Sequence, residues 1–181
     1  MVWRSLVAAL LIIGLQSCTS GPTPSDEVAD EDVPMGFDAL KSRAQQGDAD
    51  AQANLGFLYY NGEDVPQNYP EAMKWYRLAA EQGNATAQFN LGTMYDKGEG
   101  VPQNDPEAAN WYRLAAEQGL AKAQYNLGVM YYNGRGVPQN YIKAYAWWSM
   151  AAAQGKEMAS DNKDIVTEKM TSQQIAEGQA Y

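Results

Sequence analysis

Histidine is absent from these 181 residues, and cysteine occurs once, at Cys18. The first absence removes the commonest general base and metal ligand. The second leaves no partner for a disulfide, so stability has to come from packing. No metal site, no cofactor and no enzymatic activity are expected. Positive charge is also scarce, with 13 Lys and Arg against 22 Asp and Glu, a net charge of −9. A phosphate-binding surface needs clustered cations that release counterions, and here they stand singly among carboxylates. Nucleic acid is therefore not an expected partner, and an anionic lipid surface would repel the chain. Long apolar runs are missing too: Leu6 to Leu15 spans ten uncharged residues, about half of what a membrane-spanning helix needs.

That short run follows Arg4 and precedes Leu15-Gln16-Ser17-Cys18. A charged start, a short apolar stretch and a small residue before the next segment describe an export signal over residues 1–17. The last four residues resemble the bacterial lipobox, which implies lipidation of Cys18 and anchoring to the membrane through that lipid. Thr19, rather than Asp, follows the cysteine, and the resemblance then implies the periplasmic side of the outer membrane. Residues 18–36 hold Pro22, Pro24 and Pro34 and the acidic series Asp26, Glu27, Asp30, Glu31 and Asp32. This composition reads as a disordered acidic linker, with a root-mean-square reach of about 20–25 Å.

The remainder repeats itself. Ala51-Gln52 returns as Ala87-Gln88 and Ala123-Gln124, Asn54-Leu55-Gly56 as Asn90-Leu91-Gly92 and Asn126-Leu127-Gly128, and Val65-Pro66-Gln67-Asn68 returns at 101–104 and 137–140, always 36 residues on. A unit of this length cannot bury its apolar face alone and must stack on its neighbours. Each unit reads as two helices. Ala51, Leu55, Leu58 and Tyr59 share one helical stripe, and Ala72, Trp75, Tyr76, Ala79 and Ala80 share another; we call these helix A and helix B. Gly83, Gly119 and Gly155 fit the ends of the B helices, Pro70 and Pro106 their first helical residues, and Asp105 an N-cap. Gly56, Gly92 and Gly128 lie inside helix A, where glycine costs about 1 kcal/mol against alanine; close approach of helix B would compensate.

The pattern A-Q-x-N-L-G-x-x-Y, G-x-x-V-P-Q-N, A-x-x-W-Y-x-x-A-A-E-Q-G resembles the Sel-1-like repeat, a relative of the tetratricopeptide unit. The resemblance covers residues 48–83, 84–119 and 120–155, with 37–47 as a degenerate half repeat and 156–181 as C-terminal capping helices. It implies an all-α, right-handed α-solenoid of antiparallel helix pairs and a non-enzymatic, monomeric scaffold that binds a protein or peptide. Asp64 replaces the glycine found at Gly100 and Gly136, a substitution that asparagine-like residues tolerate in the left-handed region. In the cap, Met158, Ile165 and Val166 form an apolar stripe, and Thr171 with Gln174 fits a capping box.

If stacking follows the tetratricopeptide pattern, helix A lines the concave side, with Asn54, Phe57 and Tyr60, then Asn90, Thr93 and Asp96, then Asn126, Val129 and Tyr132 facing a ligand and Phe89 and Tyr125 beside them. The repeated asparagine suits either a clamp on a peptide backbone or a bond between neighbouring repeats. Positions that vary among copies, such as Phe57, Thr93 and Val129, would set specificity, whereas Trp75, Trp111 and Trp147 suit the core. Two other readings stay open. Ser160-Asp161-Asn162-Lys163 overlaps the S-x-x-K and S-D-N signatures of penicillin-recognising enzymes, although no K-T-G follows, and cysteine-rich relatives in the repeat family have been described as β-lactam-binding or β-lactamase-like. Family members in pathogens also imply a surface-exposed host-interaction factor.

Overall fold

The structure, a computed structural model, describes residues 36–181. The expected signal peptide at 1–17, Cys18 and the linker up to residue 35 lie outside the described residues. Regular structure among the described residues is entirely helical: α1 (Phe37–Gln45), α2 (Ala49–Asn61), α3 (Tyr69–Glu81), α4 (Ala85–Lys97), α5 (Asp105–Glu117), α6 (Ala121–Asn133), α7 (Tyr141–Ala153), α8 (Glu157–Thr167) and α9 (Ser172–Gln179). Helices α2, α4 and α6 are the A helices of three hairpins, and α3, α5 and α7 are their B helices. Each B helix packs on its own A helix and on the next, α2 also approaches α4, and the result is a right-handed solenoid of antiparallel pairs. None of these helices is long and apolar enough to cross a membrane.

Local sequence sets where each helix starts and stops. The Asp48 and Asn84 side chains accept from the amides of Ala51 and Ala87, opening α2 and α4, so Asn84 of the formal sequon Asn84-Ala85-Thr86 is a helix cap. Leu120 stands at the same register before α6 and makes no side-chain cap bond, which forgoes about 1 kcal/mol. The B helices are capped by the asparagine of the Val-Pro-Gln-Asn loop: Asn68, Asn104 and Asn140 accept from Glu71, Glu107 and Lys143. This corrects the expectation for Asp105, which is the first helical residue; its carboxylate is held by Arg135 instead. Pro70 and Pro106 accordingly occupy the second helical position, where an amide still lacks an intrahelical acceptor and proline removes nothing of value. Glycines with φ between 70° and 75° close the A helices, and Asp64 adopts φ 60°, the left-handed conformation that Gly100 and Gly136 take in later copies.

The core is built from small and flat side chains. Ala72, Ala79, Ala108, Ala115, Ala144 and Ala151 are fully buried and let the helices come close. An added Cβ at Gly56 or Gly92 would lie 2.8 Å from the ring of Tyr76 or Tyr112, and at Gly128 2.5 Å from Trp148 Nε1. The helix-A glycines thus make room for the aromatic residue of the paired B helix, as expected. Full burial of Tyr76 and Tyr112 stabilises by roughly 1.5–3 kcal/mol each. Trp75 packs into the cluster of Leu40, Ala51 and Leu55, and Trp111 and Trp147 repeat that contact one and two periods on.

Between hairpins runs a ladder of glutamines. The buried Gln52, Gln88 and Gln124 donate to the carbonyls of Ala44, Ala80 and Ala116 at 3.0, 3.1 and 3.2 Å, near the ends of the preceding B helices. Their own carbonyls accept from Gln82, Gln118 and Gln154 at 2.7, 2.7 and 2.9 Å. Every rung adds a second donor to a helix-end carbonyl that already accepts from the amide of Gly47, Gly83 or Gly119, and so ties each helix C-terminus to the next hairpin. Helix α8 then takes the place of a fourth helix A. It buries Ala159 and Val166 completely, whereas Met158 and Ile165 are 55% and 50% exposed; the expected stripe is replaced by one in which the residue seven before Val166 makes the contact. Thr171 and Gln174 form the capping box of α9.

Candidate functional site

Two cavities open along the A helices. The first, about 200 Å³, is lined by Tyr60 of α2, by Phe89, Asn90, Thr93, Asp96 and Lys97 of α4, by Asn126 of α6 and by the two B-helix phenols Tyr76 and Tyr112. Six of the eleven expected residues therefore meet in one place. Successive helical turns of α4 deliver Phe89, Thr93 and Asp96 to the same side, and the neighbouring A helices supply Tyr60 and Asn126 from either flank. Tyr76, Tyr112 and Lys97 were not foreseen here, since their pattern marks the first two as core and the third as a solvated end.

The asparagines Asn90 and Asn126 stand in the same cavity wall as Tyr76 and Tyr112 from the preceding hairpins. Each phenol thus lies over a glycine of its own repeat and shares a cavity wall with the asparagine of the next. Burial pushes the Tyr76 hydroxyl well above the ordinary phenol range, and burial is likewise the main reason that Tyr112 is pushed up to about 12. Asn54 stands apart: it is exposed, and α1 carries Leu40 at the register of those phenols.

Around the rim, charges are matched. Tyr60 donates to Glu99 Oε2 at 2.6 Å and accepts from Lys97 at 3.3 Å, and burial followed by the Glu99 carboxylate raises its pKa. Tyr112 donates to Thr93 Oγ1 at 3.2 Å and approaches Asp96 at 3.4 Å. Arg135, from the loop after α6, bridges Asp96 and Asp105, and it lowers the pKa of Asp105 through its hydrogen bond. Such an arrangement can hold a polar chain segment by hydrogen bonds. Among the described residues no cluster of three or more acidic, His or Cys side chains could hold a metal ion.

The second cavity, about 430 Å³, is lined by Phe57 of α2, by Thr86, Phe89 and Asn90 of α4, by Gly119, Leu120, Ala121 and Lys122 at the start of α6, and by Gln154. Phe89 and Asn90 border both cavities. Leu120 and Lys122 escaped sequence reasoning; the available signal was their departure from the register, where Asp48 and Asn84 precede Leu120, and Asp50 and Thr86 precede Lys122.

The third row goes elsewhere. Tyr125, Val129 and Tyr132 pack against the cluster that holds Ala159 and Val166 of α8, and Ile175 of α9 rests on the same cluster. Asn162 donates to the Tyr125 hydroxyl at 3.4 Å, Lys156 lies over the Tyr125 ring, and Lys169 lies over Tyr132 and Tyr141. Ser160, Asp161, Asn162 and Lys163 all lie within α8, so the two penicillin-recognition signatures overlap on one helix.

Comparison with known proteins agrees with this geometry. The family model for the Sel1 repeat matches residues 49–84, 85–120 and 121–156. A Sel1 repeat protein from Oxalobacter formigenes is 43% identical, covers 69% of this chain and 94% of its own, and superposes with a TM-score of 0.65. A protective antigen present in uropathogenic Escherichia coli strains, displaying an SLR fold, is 31% identical over 79% of this chain and 38% of its own, with a TM-score of 0.61. Cysteine-rich protein B of Helicobacter pylori is 25% identical over 67% of this chain and 92% of its own, with a TM-score of 0.55. The secretory immunoglobulin A-binding protein EsiB of Escherichia coli O6:H1 is 41% identical over 76 residues, which span 42% of this chain and only 14% of that protein. The 36-residue period and its helix pairs coincide with the three matched units: the chain belongs to the Sel1 repeat family of helical-repeat scaffolds.

Proposed function

We propose that the protein is a non-enzymatic scaffold that binds a protein or peptide along the inner row of A helices, anchored through lipid on Cys18 to the periplasmic side of the outer membrane. The observation that carries the binding reading is the pair of adjoining cavities on α2, α4 and α6, which share Phe89 and Asn90 and together present aromatic area and amide, hydroxyl and charged groups. Aromatic side chains offer large contact area at low entropic cost, and hydrogen-bonding groups between them fit an extended backbone. The anchoring reading rests on Leu15-Gln16-Ser17-Cys18 after a short apolar run.

Photocrosslinking in living cells tests the first part. A photoreactive residue at Phe57 should give discrete protein adducts, and one at Lys74 on helix α3 should not; equal labelling from both sites overturns the reading. Labelling with an alkyne fatty acid tests the second, with incorporation expected for the natural chain and none for Cys18→Ser. Turnover of a chromogenic β-lactam that disappears in Ser160→Ala would establish the enzymatic alternative instead. A surface-exposed, host-binding role has specific support in the likeness to the immunoglobulin A-binding relative. Protease added to intact cells separates it from the periplasmic reading, since a periplasmic domain stays uncut.

A further inference from the structure

The cavity of about 430 Å³ is built from residues that break the repeat. Phe57 stands where later copies have Thr93 and Val129, and Phe89 where the others have Ala53 and Tyr125. Leu120 replaces a capping Asp or Asn, and Lys122 replaces Asp50 and Thr86. Residues required for stacking recur in every copy, as the glutamine ladder and the helix-A glycines do. Phe89 and Leu120 lean with one side on the core around Tyr112 and Leu127, yet all four departures converge on one hollow.

Its chemistry is specific. Phe57 is 45% exposed, a large apolar side chain left open to solvent, and Phe89 and Leu120 extend that wall. Lys122 is the one charged side chain among the described lining residues, and it has no ion pair among the described residues, whereas Lys97 pairs with Glu99 and Arg135 with Asp96 and Asp105. A lone cation beside an apolar hollow, in a chain of net charge −9, selects a carboxylate next to an apolar group. A volume of this size falls within the range of ligand pockets and holds a leucine or phenylalanine side chain together with flanking backbone.

Building on the peptide-binding reading, we propose that this cavity is the specificity pocket, taking an apolar side chain of an extended partner segment whose neighbouring Asp or Glu meets Lys122. Asn90, at the border of both cavities, is placed to hydrogen-bond the segment's backbone as it passes from one to the other.

Fluorescence polarisation with the full-length chain tests this. The probes are labelled, amidated decapeptides in a Gly-Ser background, each with one Leu or Phe next to Glu, Lys or Gln. The apolar-acidic peptides should bind about ten-fold more tightly than the apolar-basic ones. Lys122→Glu should reverse that order, and Phe57→Ala should weaken all apolar peptides about ten-fold while Lys74→Ala leaves them unchanged. Both tested side chains are exposed, and unaltered melting of the variants will confirm intact folding. If peptides bind but Lys122→Glu leaves their ranking unchanged and Phe57→Ala leaves their affinity unchanged, this pocket assignment fails and the general reading stands. If no peptide binds, both fail. Self-association abolished by Phe57→Ala would assign the cavity to a second copy of the chain and overturn the proposal.

Discussion

A single missing Cβ decides how closely each hairpin closes. Replacing Gly56, Gly92 or Gly128 by alanine improves helix propensity by about 1 kcal/mol but drives a methyl group into an aromatic ring at 2.8, 2.8 or 2.5 Å. Overpacking costs roughly 1–3 kcal/mol, so the steric term wins. All three variants should unfold at lower urea concentration than the natural protein, and Gly128→Ala at the lowest, because the indole of Trp148 is also fixed by its bond to the Tyr125 carbonyl at 3.1 Å. The rings facing these glycines impose a pH limit as well. Below about pH 10 a phenol is neutral in both folded and unfolded chains. Above that, unfolded tyrosine loses its proton, while Tyr112 keeps it up to about 12 and Tyr76 longer still. Unfolding then releases protons, and stability falls as pH rises. Melting followed from pH 8 to 12 should show a steep decline beginning near pH 10, and the double variant Tyr76→Phe, Tyr112→Phe should flatten it.

At the scale of the element, α6 gives up stability at its start. Leu120→Asn should restore the cap that Asp48 and Asn84 provide and raise stability by about 1 kcal/mol in denaturant titrations. The same change should weaken binding of apolar-acidic peptides, because it removes part of the second cavity's wall. Most element-level features were legible in the sequence: the 36-residue period located the hairpins, and the helix-interior glycines announced close approach. The B-helix caps were misplaced by one residue because Asp105 and Asn104 are adjacent and both suit the role; only the distant Arg135, which engages the former, distinguishes them. The stripe in α8 was misread because Met158 and Ile165 are apolar at helical spacing, while the surface they would cover is occupied by no neighbour. The glutamine ladder could be seen as a recurrence but not as a hydrogen-bond chain, since its rungs join residues 30 positions apart. The cavity residues had a weaker signal still, a departure from register whose convergence exists only in three dimensions.

Taken as one molecule, the stack depends on its closing helices. Removing residues 156–181 would uncover Trp148, Tyr125, Val129 and Tyr132, which now pack against α8 and α9. Terminal caps keep solenoids soluble, so the truncated chain should melt roughly 10 °C lower and elute as oligomers in size-exclusion chromatography. That same closure has a further result. With the third row shut beneath α8, a partner reaches only a short stretch of the inner face, and a short footprint lets go quickly. Durable capture would then depend on how many copies crowd the same patch of surface, each rebinding what its neighbour releases, rather than on the grip of any one of them.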